Sequence, residues 1–380
     1  MENNAVIAGY VRSPFRFAGK GELAAVRPDD MAAEVVKELV KRTGIEPADI
    51  EDLILGCAFP EGEQGFNLAR ILVPMAGLPL SVGGVTVNRF CGSSMQSIHQ
   101  AAGAIASGSG QVFICAGVES MSRIPMGGFN PMINPAVAKS YPEIYISMGE
   151  TAENLARKYQ IGRAAQEKFA LNSQQKATKA REAGKLKDEI VSITAPNGSV
   201  VSEDGCIRPE TTLEGLSSLK PAFDADGLVT AGTSSPLTDG ASATLIVSEE
   251  YAKAHGMKIM ARIRSIGVSG CAPEIMGIGP VGATKKALER AKLTIKDIDI
   301  GELNEAFAVQ AMSVIQEIGI DESKVNLDGG ALAIGHPLGA SGARITGKAA
   351  SLLVREGKQF ALSTMCIGGG QGIATILEAA

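Results

Sequence analysis

The sequence predicts an α/β protein, a sheet with helices on its faces, and three observations carry that expectation. Apolar, β-branched runs alternate with small-residue helical stretches along the whole chain. Glycine is abundant, 45 of 380 residues, while aromatics make up 4% and tryptophan is absent; many tight turns and close backbone approaches follow. One long stretch of the pattern also occurs twice. With 45% hydrophobic residues and a net charge of −5, the chain can bury a large core and lacks the composition of a disordered segment. The same charge argues against nucleic acid as the main partner.

Taken in order, Ala5–Val11 reads as a strand and Asp29–Arg42 as an amphipathic helix with acidic residues in its first turn. Asp52–Cys57, Val85–Asn88 and Gln111–Ala116 read as strands, then Thr244–Ser248, Ile259–Val268, Ile298–Leu303, Lys324–Leu327, Gln359–Ser363 and Gly372–Leu377. Helices are expected at Gly282–Lys292, Glu305–Ile318 and Ala340–Glu356.

The repeat pairs Ile45-Glu-Pro-Ala-Asp-Ile-Glu-Asp-Leu-Ile with Leu293-Thr-Ile-Lys-Asp-Ile-Asp-Ile-Gly-Glu, each preceded by a helix. Each copy then runs through a strand, a Gly-containing turn and a small-residue helix, Val85–Ser107 in the first and Lys324–Glu356 in the second. A single duplication implies two similar lobes with a site between them. Residues 121–240 break the pattern: Met121–Pro142 is rich in Pro, Gly and Met, and Thr151–Lys187 is a charged helical stretch. The expected organisation is therefore one half at 1–120 plus 241–258, an inserted loop and lid region at 121–240, and a second half at 259–380.

The N-terminus lacks a basic segment followed by a long apolar stretch, so no secretory signal is expected. No window approaches about 18 uninterrupted apolar residues, so no membrane span is expected. Cys57, Cys91, Cys115, Cys206, Cys271 and Cys366 are widely spaced without a C-x-x-C pair, which reads as reduced thiols and a cytoplasmic location. His99, His255 and His336 stand apart from any cysteine cluster, so no zinc or other metal is expected.

Four segments can carry chemistry. In Asn88-Arg-Phe-Cys91-Gly-Ser-Ser a thiol precedes a small-residue helix, where helix N–H groups favour thiolate and can hold an oxyanion. A buried packing cysteine is the competing reading. In Gly329-Gly-Ala-Leu-Ala-Ile-Gly-His336-Pro the histidine occupies the place that Cys91 holds in the other repeat, so the two can form a nucleophile and its base. His99 and His255 read as structural. Cys366-Ile-Gly-Gly-Gly offers a second thiol beside backbone donors, or a plain hairpin. Asn304-Glu-Ala-Phe sits where a strand meets a helix, and Asn304 can position a water or simply cap the helix. Gly277-Ile-Gly-Pro-Val-Gly282 matches G-x-G-x-x-G, but no strand feeds it and Pro280 interrupts it, so its glycines are expected to shape a helix entry rather than bind a dinucleotide.

Together and in this order, these segments resemble the thiolase family essentially end to end, with Gly117-Val-Glu-Ser-Met-Ser, Met148-Gly-Glu-Thr-Ala-Glu-Asn and Leu237-Thr-Asp-Gly-Ala-Ser-Ala adding to the match. The resemblance implies a duplicated βαβαβαββ core in five α-β-α-β-α layers with an inserted loop domain. It implies Cys91 as acyl-carrying nucleophile, His336 as its base, and Asn304 holding a water beside the thioester oxygen. Cys366 would be the acid that protonates the departing acetyl-CoA carbanion. The N–H groups of Cys91 and Gly368 would stabilise the oxyanion. Ser235, Met148, Arg208, Phe223, Phe307 and Ser147 fall where the family contacts its substrate and coenzyme A, which is bound as a substrate rather than as a permanent cofactor.

Ser147 stands where acetoacetyl-CoA-specific members carry His, which favours a degradative 3-ketoacyl-CoA thiolase, an acetyl-CoA C-acyltransferase of the β-oxidation type. The condensation of two acetyl-CoA to acetoacetyl-CoA is the alternative, and a non-catalytic acyl-CoA or lipid carrier is the alternative of another class. A homodimer or homotetramer is expected from the resemblance.

Overall fold

The computed structural model describes residues 4–380; the leader reading rests partly on residues 1–3, which lie outside the described residues. In chain order, the first half contains β1 (Ala5–Arg12), β2 (Arg16–Phe17), α1 (Pro28–Thr43), β3 (Asp52–Gly56), α2 (Leu68–Met75), β4 (Gly83–Val87), α3 (Ser93–Ala106) and β5 (Val112–Ser120). There follow α4 (Pro135–Ser140), α5 (Met148–Tyr159), α6 (Arg163–Glu182), β6 (Ile193–Thr194), β7 (Val200–Val201) and α7 (Leu213–Ser217). The chain then returns through β8 (Thr238–Ser248), α8 (Glu249–Ala254), β9 (Ala261–Gly270), α9 (Gly279–Ala291), β10 (Ile300–Leu303), α10 (Ala308–Ile318), α11 (Ala331–Ile334), α12 (Leu338–Glu356), β11 (Phe360–Ile367) and β12 (Gln371–Glu378).

Local sequence explains the element ends. Helix α1 opens on Pro28 with Asp29 and Asp30 in its first turn, and closes on Lys41 and Arg42 before Gly44, which adopts φ 66°. This is the charge order that the helix dipole favours, and glycine takes the left-handed cap at little cost. All eleven residues of β8 are buried, as befits a strand covered on both faces.

The strands join in the order β10-β11-β12-β9-β1-β8-β5-β3-β4, with β2 on the end of β8. The duplication is visible in this order. In the first half β3 runs parallel to β4 and β5, while β5–β8 and β8–β1 are antiparallel. In the second, β10 runs parallel to β11, while β11–β12 and β12–β9 are antiparallel. The halves meet through the short β1–β9 pairing at Val6–Arg262 and Ile7–Ala261. Helices α3 and α12 pack on each other and between the halves, α1 and α2 cover the first half, and α9 and α10 lie with the second. This gives the five expected layers.

The expected strand at Lys324–Leu327 does not form. Only Val325 bridges to Gly301, in the parallel sense of β4 on β3. Asn326 turns the chain into the left-handed region at φ 49° and uses its side chain to bond both the N–H and the carbonyl of Leu303. The repeat survives there as one bridge and a polar clamp.

Glycines 277–282 are more than a helix entry. A methyl group at Gly279 would run into the Gln371 carbonyl, and one at Gly372 into Gly279 itself. The glycines let α9 lie directly on β12. No helix among the described residues is long and apolar enough to cross a membrane.

Candidate functional site

His336 sits in the loop between α11 and α12, buried, with three fixed contacts. Its own N–H donates to Thr238 Oγ1 at 3.0 Å, Nδ1 is 2.6 Å from Ser341 Oγ, and Nε2 is 3.3 Å from Asn304 Nδ2. Ser341 Oγ in turn donates to the Pro337 carbonyl at 3.1 Å, so it receives the Nδ1 proton. The lone pair is thereby placed on Nε2, facing the Asn304 amide. Burial, with Arg344 adding a like charge, pushes the imidazole down to about 3. The ring is neutral at any physiological pH.

Asn304 directly follows β10 and does not cap a helix: α10 begins at Ala308 after Phe307. Its Oδ1 is buried without a protein partner. An unpaired amide oxygen beside a neutral imidazole suits a water or a ligand hydroxyl.

Cys91 stands two residues before α3, partly exposed. The backbone N–H of Gly368 and its own N–H are directed at its sulfur. The expected resting thiolate is not found: burial outweighs both donors and pushes the thiol up to about 11, with the Glu119 charge adding to the rise. Cys366, at the end of β11, is buried, and its thiol is raised first by burial and next by the charge of Cys91. The structure therefore brings Cys91, Gly368 and Cys366 together and holds His336 against Asn304. The site offers two neutral thiols, a neutral imidazole whose Nε2 lone pair faces the Asn304 amide, and paired N–H donors, which suits acyl transfer.

The residues expected along coenzyme A divide into two groups. Met148 opens α5, with its sulfur 3.6 Å from the place a side chain on Gly368 would take. The Phe223 ring packs on Gly149 and meets Phe307 edge-on at 5.8 Å. The Ser235 N–H donates to the Ala306 carbonyl beside them at 2.9 Å. Ser147 and Arg208 are engaged elsewhere. The Ser147 hydroxyl donates to Glu150 Oε2 at 2.6 Å in a capping box, and the Arg208 guanidinium stacks over Phe17 at 4.9 Å. His99 and His255 prove structural: His99 bonds Thr375 Oγ1 at 2.9 Å, and His255 stacks on Tyr251.

Sequence reasoning missed Ser341, Thr238 and Glu119. The Glu119 carboxylate accepts from the N–H groups of Ala58, Phe59 and Gly339 and from Gln64 Nε2, at 2.8 to 3.3 Å. Gly339 lies three residues beyond His336, so this buried acid ties the His336 loop to the segment that follows β3. An acid inside the apolar run of β5 was its one available signal.

Residues 5–250 match the thiolase N-terminal domain family and residues 257–379 the thiolase C-terminal domain family. Among curated proteins, the 3-ketoacyl-CoA thiolase of Bacillus subtilis is 48% identical, across 98% of this chain and 99% of its own. The 3-ketoacyl-CoA thiolase of Shewanella loihica is 49% identical across 99% of both. Among solved structures, human mitochondrial 3-ketoacyl-CoA thiolase in complex with CoA superposes with a TM-score of 0.91 at 38% identity, covering 100% of this chain and 98% of that one. With the Cys91, Asn304, His336 and Cys366 segments in place on this fold, the chain belongs to the thiolase family.

Proposed function

We propose that the protein is a 3-ketoacyl-CoA thiolase, cleaving its substrate with CoA into acetyl-CoA and a shortened acyl-CoA through an acyl group carried on Cys91. The observation that carries the reading is the pairing of a partly exposed thiol, flanked by two N–H donors, with a second, buried thiol that feels its charge. Full-length relatives named for this activity support it.

In the first half-reaction the Cys91 sulfur attacks the 3-keto carbon as His336 Nε2 takes its proton. Because thiol and imidazole are both neutral at rest, the thiolate forms only during attack, and the charge passes to the carbonyl oxygen between the Cys91 and Gly368 N–H groups. The C2–C3 bond then breaks. Cys366 gives its proton to C2, releasing acetyl-CoA and leaving an acyl thioester on Cys91. Asn304, with a water on its free Oδ1 and with His336, holds the thioester oxygen of the acetyl-CoA half. In the second half-reaction the Cys366 thiolate takes the proton of the incoming CoA thiol, whose sulfur attacks the acyl thioester; as the acyl group leaves Cys91 for CoA, His336 returns its proton to the Cys91 sulfur, and all three groups are neutral again. Two thiols are needed because one carries the acyl group while the other exchanges a proton with carbon.

Met148, Phe223, Phe307 and Ser235 form the CoA-facing side of the site, with Ser147 and Arg208 as outlying contacts. CoA enters as substrate, and no permanent cofactor is assigned. The site lies between halves at 1–120 plus 241–258 and 259–380, beneath the inserted region 121–240. The open edge of β4, with Phe66 and Leu80 exposed beside it, supports assembly as a homodimer or homotetramer. Six free cysteines suit a cytoplasmic location.

Covalent labelling tests the reading. Wild-type protein incubated with labelled acetyl-CoA is expected to gain one acetyl group, lost in Cys91→Ser with the fold intact by circular dichroism. A wild type that never labels would favour the lipid-carrier alternative. Efficiency at C4 at least tenfold above every longer chain would favour the acetoacetyl-CoA enzyme.

A further inference from the structure

We propose that the substrate's acyl tail leaves Cys91 along an aromatic track formed by Phe90, Phe59 and Phe129, with Ile124 buried beneath it, and that this track selects medium and long chains over C4. The inference rests on Cys91 being the acyl carrier. Phe90 immediately precedes Cys91 and is 39% exposed. Its ring comes within 3.6 Å of the place a side chain on Gly368 would take, so it flanks the N–H that faces the sulfur.

Phe90 is held there against its backbone preference. Its φ of 42° lies in the left-handed region, unusual for a bulky residue and persistent only where the surroundings enforce it. The enforcement is visible. The Phe90 N–H donates to Asn88 Oδ1 at 2.8 Å, and the Phe90 carbonyl accepts from the Ser93 N–H at 3.1 Å and the Ser93 hydroxyl at 2.6 Å. The same Asn88 amide donates to the Ala58 carbonyl at 3.0 Å, which fixes Phe59. The two rings stand 6.0 Å apart, tilted by 47°.

Beyond Phe59 the track continues. A methyl group at Gly62 would meet the Phe129 ring at 3.0 Å and Ile124 at 3.2 Å, so the 59–64 segment lies against both. The Phe129 N–H donates to Glu61 Oε2 at 2.6 Å, and Gln64 Nε2 donates to the Phe59 carbonyl at 2.9 Å, closing the turn. Phe129 is 60% exposed, with Met126 and Met132 open beside it. Exposed apolar side chains leading away from a thioester-forming thiol offer a surface for an alkyl chain. Each methylene laid on it is expected to raise kcat/KM by about twofold to fourfold until the rings end.

The test measures kcat/KM on 3-ketoacyl-CoA substrates from C4 to C16 for the wild type, Phe129→Ser and Val354→Ser, the last an exposed apolar site on α12. The C12-to-C4 ratio is expected to fall at least fivefold in Phe129→Ser and to stay within twofold of wild type in Val354→Ser. A Phe129→Ser ratio within twofold of wild type overturns the track. The same flat ratio with a changed sedimentation coefficient overturns it too, and assigns Phe129 to a subunit interface. Acetyl labelling of Cys91 on the same samples separates the two claims: labelling with a flat ratio removes the track alone, and absent labelling removes the reading of the site.

Discussion

Arg344 Nη1 lies 3.1 Å from Glu302 Oε2, and both side chains are sealed from solvent. Arg344 is one turn beyond Ser341 on α12, and Glu302 is two residues before Asn304 on β10. The pair therefore ties together the two elements that hold the Nδ1 and Nε2 sides of His336. Burial pushes the Glu302 carboxyl up to about 7, while Arg344 and Lys348 pull it down. Arg344→Met strands that acid, which costs about 3–5 kcal/mol when one partner of a buried pair is removed. If the pair positions His336, kcat falls in Arg344→Met while KM for CoA changes little, and Arg344→Lys restores part of it. Urea unfolding with steady-state kinetics reads both effects. An unchanged kcat in a folded Arg344→Met protein would leave the pair a purely structural role.

Glu119 sets a second prediction. Its carboxylate collects donors from the segment that follows β3 and from Gly339, and its charge adds to the rise of the Cys91 thiol. Glu119→Gln turns an amide N–H₂ toward groups that are themselves donors, so at least one is left unpaired, at about 1–3 kcal/mol. Removing the charge also lowers the Cys91 pKa. Alkylation of wild-type Cys91 by iodoacetamide should climb about tenfold per pH unit between pH 7 and 9, because the titration at about 11 lies above this range. In Glu119→Gln the profile is expected to move to lower pH. No movement would mean that burial alone sets the thiol.

The segments that make up the candidate site were legible because they are residue types at local spacings: a cysteine before a small-residue helix, a histidine among glycines, a thiol before three glycines. The duplication was legible for the same reason and returned as two matching strand orders. What stayed hidden depends on contacts across the fold. Nothing near Cys91 in sequence reveals that burial defeats its N–H donors. Nothing near His336 reveals that Ser341, one turn into the next helix, fixes the tautomer. The lost strand at Lys324–Leu327 has the right composition, but Asn326 finds Leu303 and Glu305 as partners and leaves the strand conformation. Propensity could not foresee that trade.

The Arg12 cluster gives a third prediction. Arg12 is fully buried on β1, paired with both Asp204 oxygens at 2.7 Å and with Glu189 at 2.8 Å. Glu189 also meets Lys348 of α12 at 2.9 Å. These charges fasten the segment from Glu189 to Asp204 to both β1 and α12. Asp204 additionally accepts the Phe15 N–H at 2.8 Å. Asp204→Ala should cost about 3–5 kcal/mol and speed hydrogen exchange at amides 204–208 more than in β8. Uniform exchange across both would show that the contact does not anchor this segment locally.

A final prediction concerns acid stability. His99 and His336 are both held down to about 3, in each case first by burial, with Arg89 and Arg290 adding for His99 and Arg344 for His336. An unfolded histidine titrates near about 6.5. Between these values the unfolded chain binds a proton that the native chain refuses, so each histidine's share of stability is complete above pH 6.5 and is lost as pH falls toward 3. At pH 5 the loss is about 2 kcal/mol per histidine. His99 lies on α3 away from the reacting groups and bonds Thr375 of β12 at 2.9 Å, so it can be replaced without disturbing the chemistry. His99→Gln keeps a neutral partner for Thr375 and removes the titration. Unfolding free energies measured by urea at pH 7 and pH 5 should therefore differ less in His99→Gln than in wild type, by about 2 kcal/mol. An equal pH 7 to pH 5 loss in both proteins would mean that His99 is protonated in the native fold, contrary to its buried, neutral setting.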